Sequence, residues 1–176
     1  MEFAALNEAR RSVRAYKDTA LNRATIEDIL YHGTRAPSGS NRQPWYFVVV
    51  EDPALKAKIG DLVVEKVGER AQRTADVMKQ APALVVVYDR IGEDGGPSKL
   101  FDYQSVGACM QNICLRAVDK GLGSLWIGFI CIAAAEISEL LGMGDKQMMG
   151  AIAIGTPDEI LAPRPRADMA TLVEWR

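Results

Sequence analysis

The chain is organised around the stretch Ala36-Pro-Ser-Gly-Ser-Asn-Arg-Gln-Pro-Trp45, which lies between a helical pattern and an apolar run. Proline fixes φ at Pro37 and Pro44, and Gly39 permits a positive φ. The remaining loop positions carry mainly polar side chains: Ser38, Ser40, Asn41 and Gln43. Such a stiff loop can bind the polar edge of a planar ligand without leaving buried donors and acceptors unpaired. The same residue types also dominate ordinary surface turns, so composition alone leaves both interpretations open.

Length and composition indicate a single globular domain over residues 1–176. The chain is long enough to bury a sizeable core, and 48% hydrophobic with 25% charged residues is typical of a globular protein. A net charge of -2 and a pI near 5.5 give no general attraction to nucleic acid or to an anionic membrane. We therefore predict no nucleic-acid partner and no membrane partner. Any anion must be bound by a local cluster of basic residues.

Cysteines, histidine and the first residues give expectations about location and metal binding. Cys109, Cys114 and Cys131 lie in apolar segments without C-x-x-C spacing, so we expect buried thiols in a reducing cytoplasm. His32 is the only histidine and no carboxylate cluster surrounds it, which predicts a structural or merely exposed side chain and no metal site. The sequence has no signal-peptide pattern and no run near the roughly 18 apolar residues of a membrane span. We expect a cytoplasmic protein.

Two basic clusters are candidates for anion binding. The first, Arg10-Arg-Ser-Val-Arg14, follows a predicted amphipathic helix over residues 2–10. The second, Pro163-Arg-Pro-Arg166, lies in a tail that is too rich in proline to be helical. Arginine binds phosphate or carboxylate through paired hydrogen bonds and stays charged at any working pH. The alternative for the first cluster is a solvated helix end, which the helix dipole favours.

Hydrophobic periodicity predicts that helices and short strands alternate along the rest of the chain. The predicted helices cover residues 25–33 with a cap at Thr25, residues 53–79 with a break near Gly68, residues 101–120 and residues 133–141. The predicted strands cover residues 45–50, which we expect to be buried, and residues 83–88, 125–129 and 149–154, with a flexible loop at 91–99. This alternation favours a mixed layer fold in which helices cover one sheet. Rossmann, P-loop and Ser-His-Asp motifs are missing, so a nucleotide fold or a histidine-dependent hydrolase has no support.

Five motifs occur in order along nearly the whole chain: Arg-Arg-Ser-Val-Arg at 10–14, the stretch at 36–45, Asp-Tyr-Gln-Ser-Val-Gly-Ala at 102–108, Gly-Leu-Gly-Ser-Leu-Trp-Ile-Gly at 121–128 and Ile-Gly-Thr-Pro at 154–157. Together they resemble the nitroreductase family of FMN-dependent oxidoreductases. The resemblance implies an α+β fold with a central, mostly antiparallel sheet covered by helices. It also implies an intertwined homodimer with two FMN sites at the subunit interface, each built from both chains. The tail, about residues 158–176, is then expected to extend onto the partner subunit.

The dimer can also be argued from apolar residues. Trp126, Phe129 and Met110, with the apolar circumference of the long helix, offer more hydrophobic surface than four short strands need. Burial against a second copy is one use of that surface. Burial inside a compact monomer is the alternative.

The resemblance assigns roles to the residues of the first cluster and of the loop. It places Arg10, Arg11, Ser12 and Arg14 beside the flavin, with Arg11 as a phosphate or ribityl contact. It implies that Arg14 lies at the N1 and O2 edge, where a cation stabilises the negative charge of reduced flavin. It also implies that the loop of the partner subunit completes the site. One part of the isoalloxazine ring would be covered by Pro37, Ser38, Gly39 and Ser40, and the site would be braced by Asn41 and Gln43.

The remaining assignments come from the later motifs. The resemblance implies that the backbone of Ile127 and Gly128 approaches flavin N5, and that Arg164 and Arg166 bind the phosphate. Thr74 aligns loosely with a polar residue that binds the pyrimidine edge in the family, and it is not included in the predicted site.

The implied function is an enzyme whose cofactor carries the reaction. NADH or NADPH gives hydride to flavin N5, and an electron-poor acceptor such as a nitroaromatic or a quinone then takes the electrons in a ping-pong mechanism. No catalytic side chain is required, and Arg14 gives electrostatic support. One alternative is a flavin-binding or storage protein, or a dehalogenating or flavin-fragmenting branch of the fold, which uses an added lid. Another is a non-catalytic interaction protein whose arginines are solvated.

Overall fold

The structure, a computed structural model, describes residues 1–91 and 98–176 and contains one four-stranded antiparallel sheet. The strands are β1 (Trp45–Val50), β2 (Ala83–Asp89), β3 (Gly123–Ile127) and β4 (Gln147–Gly155), in the order β1-β2-β4-β3. The helices are α1 (Phe3–Ala9), α2 (Arg23–Gly33), α3 (Pro53–Val67), α4 (Gln72–Gln80), α5 (Ser98–Asp119) and α6 (Ala134–Leu140). Short 3₁₀ turns occur at Gly39–Asn41, Glu69–Ala71, Phe129–Ala133 and Met169–Thr171. Within the described ranges, no helix has the length and apolar character needed to cross a membrane.

Helices cover both faces of the sheet, and the side-chain alternation of β2 shows how. Leu84 and Val86 face a core formed with α3, α4 and α6, whereas Val85 and Val87 face a second core formed with α2 and α5. Every residue of β2 is buried as a result. A nearly continuous apolar run is therefore what this central strand requires, because both of its faces are inside the protein.

The predicted strand at residues 45–50 has the expected bounds, but the expectation that it is buried is wrong. β1 lies at the edge of the sheet and pairs only with β2. Trp45 and Val50 are buried at its ends, while Tyr46 and Val49 are exposed. An edge strand can combine an apolar sequence with partial exposure, so the apolar run alone could not identify its place in the sheet.

Capping residues account for where α2 and α3 begin and for where α3 ends. Asn22 caps α2 by accepting a hydrogen bond from the Ala24 backbone N–H at 2.8 Å, so the predicted cap at Thr25 is wrong by three residues. The Asp52 side chain caps α3 by accepting from the Leu55 N–H at 2.7 Å. Gly68, with φ of 85°, ends α3 and confirms the predicted break.

Two expectations about burial are corrected by the structure. Met110 is buried in the α2–α5 core and is therefore not part of an apolar surface, whereas Trp126 and Phe129 are 43% and 41% exposed. Cys109 and Cys114 are buried as predicted, but Cys131 is exposed. Cys131 lies in the 3₁₀ turn after β3, where Ile130 and Ala133 take the inward positions at a spacing of three.

The predicted loop at 91–99 falls largely outside the described residues, and its last two positions, 98 and 99, belong to α5. Residues 158–176 are exposed throughout, with a single 3₁₀ turn. Their extension onto a partner subunit stays a prediction.

Candidate functional site

Both predicted basic clusters meet at one cavity of about 680 Å³, called here the first cavity. Its lining includes Arg10, Arg11, Ser12, Arg14, Arg164 and Arg166. Glu8 contributes one carboxylate to the same wall. In the described ranges, none of the five guanidiniums forms an ion pair with a carboxylate of this chain. Five unneutralised cations around one cavity suit a phosphate or another multiply charged anion.

Residues 10–16 line the edge of the sheet beside β3, which fixes the side chains of the first cluster. The Val13 N–H donates to the Ser124 carbonyl at 3.0 Å, and Ser12 forms a parallel bridge with Ser124. Val13 points into the core, where it packs so closely on Gly123 that a Cβ there would lie 2.6 Å from Val13 Cγ2. Because side chains alternate in extended chain, Ser12 and Arg14 point away from the core and into the cavity.

The same segment is tied to the chain that leaves β4. The Lys17 N–H donates to the Thr156 carbonyl at 2.9 Å, and the Asp158 N–H donates to the Ala15 carbonyl at 2.9 Å. Tyr16 is buried between them, and its hydroxyl lies 3.1 Å from the Val13 carbonyl. Burial raises the pKa of that hydroxyl, so it stays protonated and donates. These contacts fix the path of the chain after β4, and the tail that follows places Arg164 and Arg166 at the first cavity.

Arg11 has a role that differs from the other arginines. Its Nη1 donates to the carbonyl of Glu8 and, at 2.8 Å, to the carbonyl of Arg10, both at the end of α1. This guanidinium therefore satisfies the open end of a helix. Its Nε is buried and has no hydrogen-bond partner among the described residues.

A second cavity of about 310 Å³ adjoins the first and shares the Arg14 side chain. Its other lining residues are Thr74, Leu125, Trp126, Ile127, Gly128 and Phe129. The structure thus brings the predicted pair Ile127 and Gly128 next to Arg14. The first cavity offers charge, whereas the second offers aromatic side chains and the backbone at the end of β3. A molecule with a phosphate at one end and a planar ring at the other fits this pair of cavities.

Small residues make room for the indole that forms one wall of the second cavity. Trp126 lies against Gly107 of α5 and Gly150 of β4, where an added Cβ would stand 3.8 Å and 3.4 Å from the ring. Thr74, in α4, also lines the second cavity. The family resemblance aligns it only loosely with a residue that binds the pyrimidine edge, so the predicted site does not include it.

The polar loop at residues 37–43, called here the covering loop, lines neither cavity. It packs instead against the first turns of α5 and the end of β2. The left-handed residues of the loop are Ser40, Asn41 and Gln43, with φ of 51°, 55° and 49°, and not Gly39, which could adopt a positive φ at less cost. Gly39 serves a close approach, since a Cβ there would lie 3.2 Å from Phe101 Cβ.

Within one chain, then, the predicted residues fall into two groups. The two arginine clusters line the first cavity and the end of β3 lines the second, with Arg14 common to both, and these two cavities are called here the groove; the covering loop lines neither. His32 also lies outside the groove, with Nδ1 2.9 Å from the Asp28 carbonyl. Across the described residues, no group of three or more His, Cys, Asp and Glu side chains is arranged to hold a metal ion.

Comparisons with known proteins agree with this geometry. The family model described as "Nitroreductase family" matches residues 8–156. A protein of Archaeoglobus fulgidus, whose name proposes NADH dehydrogenase or NAD(P)H nitroreductase activity, is 29% identical, with 85% of this chain and 82% of that one covered. Iodotyrosine deiodinase from Thermotoga neapolitana is 27% identical, with 92% of this chain and 90% of that one covered. The crystal structure of a proposed nitroreductase from Desulfovibrio desulfuricans in complex with FMN has a TM-score of 0.80 at 27% identity, with 98% and 96% covered.

Proposed function

The chain belongs to the nitroreductase family and has its α+β fold, as the sequence predicted, and on this premise we propose that it is an FMN-dependent oxidoreductase. The observation that carries the proposal is the pair of cavities that share Arg14. Five guanidiniums line the first cavity, and the second is lined in part by aromatic side chains. FMN carries a phosphate dianion and an isoalloxazine ring, so its two ends match the two cavities.

Each part of the groove has a proposed role. Arg10, Arg164 and Arg166 would bind the phosphate, because they are cations without described carboxylate partners. Arg14, at the junction of the cavities, would neutralise charge at the pyrimidine edge of the ring. The backbone at Ile127 and Gly128 would face the reactive side of the flavin. Thr74 could donate or accept a hydrogen bond at the remaining ring edge.

FMN would supply hydride transfer between NADH or NADPH and an electron-poor acceptor, such as a nitroaromatic or a quinone, in alternating half-reactions. The residues of this chain would bind and orient the ring, keep positive charge beside it and shape the space above it. The groove therefore needs no acid, base or nucleophile of its own.

We further propose that the site is completed in a homodimer. Trp126 and Phe129 line the second cavity and are 43% and 41% exposed, and Ile132, in the same 3₁₀ turn as Phe129, is 51% exposed. The covering loop lies outside the groove of its own chain, which supports the prediction that it contributes to the site of the partner subunit. A dimer that buries the aromatic surface would satisfy both observations.

The decisive test is the visible absorption spectrum of the purified protein, followed by anaerobic addition of NADH and then NADPH. We expect flavin absorption that bleaches with at least one donor and returns when an acceptor is added. Bound flavin that neither donor bleaches would instead indicate a flavin-binding or storage protein. A colourless protein that binds no added FMN would overturn the cofactor assignment. The arginines would then be interpreted as ordinary solvated surface residues.

Reductive dehalogenation is a second candidate, which the similarity to the Thermotoga neapolitana iodotyrosine deiodinase favours. The segment from which a lid over the ring would have to come, around residue 95, lies outside the described residues. The two candidates separate in one assay: release of iodide from iodotyrosine by the reduced protein supports the second, and its absence during turnover of a quinone supports the first.

A further inference from the structure

We propose that Asp102 is a positioning residue that, acting through Arg42, holds the covering loop in the conformation the cofactor site requires. The inference rests on the proposed function, because the loop affects the reaction only if it contacts FMN. Asp102 was predicted as part of a family motif, but it was assigned no role and lines neither cavity.

The covering loop has a backbone that its own sequence does not favour. Ser40, Asn41 and Gln43 all have positive φ, and none of them is glycine. Residues with a Cβ avoid this region because the Cβ approaches the following carbonyl oxygen, although asparagine tolerates it better than most. Three such residues among four consecutive positions will persist only if surrounding contacts impose them.

Contacts inside the loop account for part of this conformation. The Gln43 N–H donates to Ser38 Oγ at 3.1 Å, and the Asn41 N–H donates to the Ser38 carbonyl at 3.0 Å. Both bonds close the loop on itself. They do not fix its position relative to the sheet or to α5, and exposed hydrogen bonds of this kind exchange readily with water.

The contacts that fix its position come from α5 and the end of β2. Arg90 Nε donates to the Gln43 carbonyl at 3.0 Å. Arg42 Nη2 donates to Asp102 Oδ2 at 3.1 Å. Arg42 stands between Asn41 and Gln43, so the side chain that reaches α5 belongs to the residue between two left-handed neighbours.

The burial of Asp102 makes this contact a strong restraint on the loop. The residue is fully buried, and its Oδ1 has no hydrogen-bond partner among the described residues. A buried carboxylate that loses its cation is left with an uncompensated charge. Movement of the loop away from α5 would therefore be energetically unfavourable, because it would leave Asp102 in that state. Asp102 therefore selects the loop conformations in which Arg42 points inward.

A second ion pair joins the end of β2 to the first turn of α5. Lys99 Nζ lies 2.8 Å from Oδ2 of the fully buried Asp89. As in Arg42–Asp102, a buried aspartate pairs with a less buried cation, whose side chain is 11% exposed in Lys99 and 29% in Arg42, but here both partners lie outside the loop. It supplies the matched control for a purely structural role.

The test compares Asp102→Asn, Arg42→Lys and the control Asp89→Asn in the full-length protein. Two readouts are measured: amide hydrogen exchange of residues 38–43 without FMN, and the FMN dissociation constant by flavin fluorescence. If Asp102→Asn lowers the population of the competent loop to about a tenth, the dissociation constant rises roughly tenfold. We expect faster loop exchange with it and a smaller change for Arg42→Lys. For Asp89→Asn we expect clearly smaller changes in both readouts than for Asp102→Asn, even where its melting temperature falls, because the described partners of the Asp89 side chain, the Ile91 N–H and Lys99, lie outside the loop.

Unchanged loop exchange and FMN affinity in folded Asp102→Asn would overturn the inference. Equal losses in Asp89→Asn would also overturn it, because they would show a general effect of removing a buried carboxylate. A wild-type protein that binds no FMN would overturn the proposed function itself, and the loop's role with it, whatever the exchange rates show.

Discussion

Replacing Gly123 by alanine should damage the cofactor site through the fold. A Cβ at this position would lie 2.6 Å, 2.9 Å and 3.0 Å from three side-chain carbons of Val13. Val13 cannot easily retreat, since its N–H is bonded to the Ser124 carbonyl and its side chain is 4% exposed. Overpacking of this kind costs about 1–3 kcal/mol. For a chain of this size, that corresponds to a fall in melting temperature of roughly 2–12 °C.

The same strain should also weaken FMN binding. Relief of the strain requires residues 10–14 to shift away from β3 at the expense of the Val13–Ser124 hydrogen bond, and this segment carries Arg10, Ser12 and Arg14 into the first cavity. If about 1.4 kcal/mol of the strain is released in this way, FMN affinity falls about tenfold. Thermal unfolding followed by circular dichroism, together with a fluorescence titration, measures both quantities.

Gly144→Ala is the matched control, because nothing lies within 4 Å of an added Cβ there. It should leave FMN affinity unchanged and keep or slightly raise the melting temperature by restricting the unfolded chain. A Gly123→Ala protein that melts with the wild type and binds FMN equally well would refute the packing argument.

Three further predictions concern charge. Arg10→Gln and Arg166→Gln should each weaken FMN retention, and the loss should shrink as salt increases, because phosphate pairing is screened; equal flavin content in both variants would contradict their role. Arg14→Gln should lower the flavin reduction potential, which spectroelectrochemistry measures, and an unaltered potential would exclude Arg14 from the ring edge. The hydrogen bonds from Arg116 hold the pKa of Asp28 at about 2, below its ordinary 3.8. Deprotonated Asp28 therefore stabilises the fold above its unfolded pKa, and this contribution is lost as the pH falls from 3.8 to about 2. Wild type and Asp28→Asn should converge in melting temperature over that window, and parallel curves would contradict the pairing.

Local signals predicted the strands and most helices because burial imposes a repeat on the sequence. β2 shows this best, since a strand covered on both faces must be apolar at every position. The same signal could not distinguish β1 from a central strand, because an edge strand also carries an apolar run. The helix start at Asn22 was missed for a related reason: several residue types can cap a helix, and the folded chain decides which one does.

The site was predictable only in part. Arginine clusters are visible in a sequence, but the meeting of residues 10–14 with Arg164 and Arg166 depends on contacts across most of the chain. The family resemblance suggested that meeting, and the geometry of one chain reproduces it. The resemblance did not suggest that Arg11 closes the end of α1, and it aligned Thr74 only loosely with the ring edge, whereas the structure places that residue at the second cavity. It also did not suggest that Ser40, Asn41 and Gln43 take left-handed conformations.

The pairing of residues 10–16 with the chain that leaves β4 has a consequence for folding. The first cavity exists only after two segments more than a hundred positions apart have joined, so it is a long-range structure, and such structures form slowly. The entropic cost of closing so large a loop grows only slowly with its length, by about 0.6 kcal/mol per doubling. Closure is also opposed by the repulsion among the guanidiniums that it brings together. A bound phosphate removes that repulsion. FMN at about 100 times its dissociation constant would stabilise the closed chain by about 2.7 kcal/mol, so the cofactor would also act as a folding ligand that fastens the tail to the sheet.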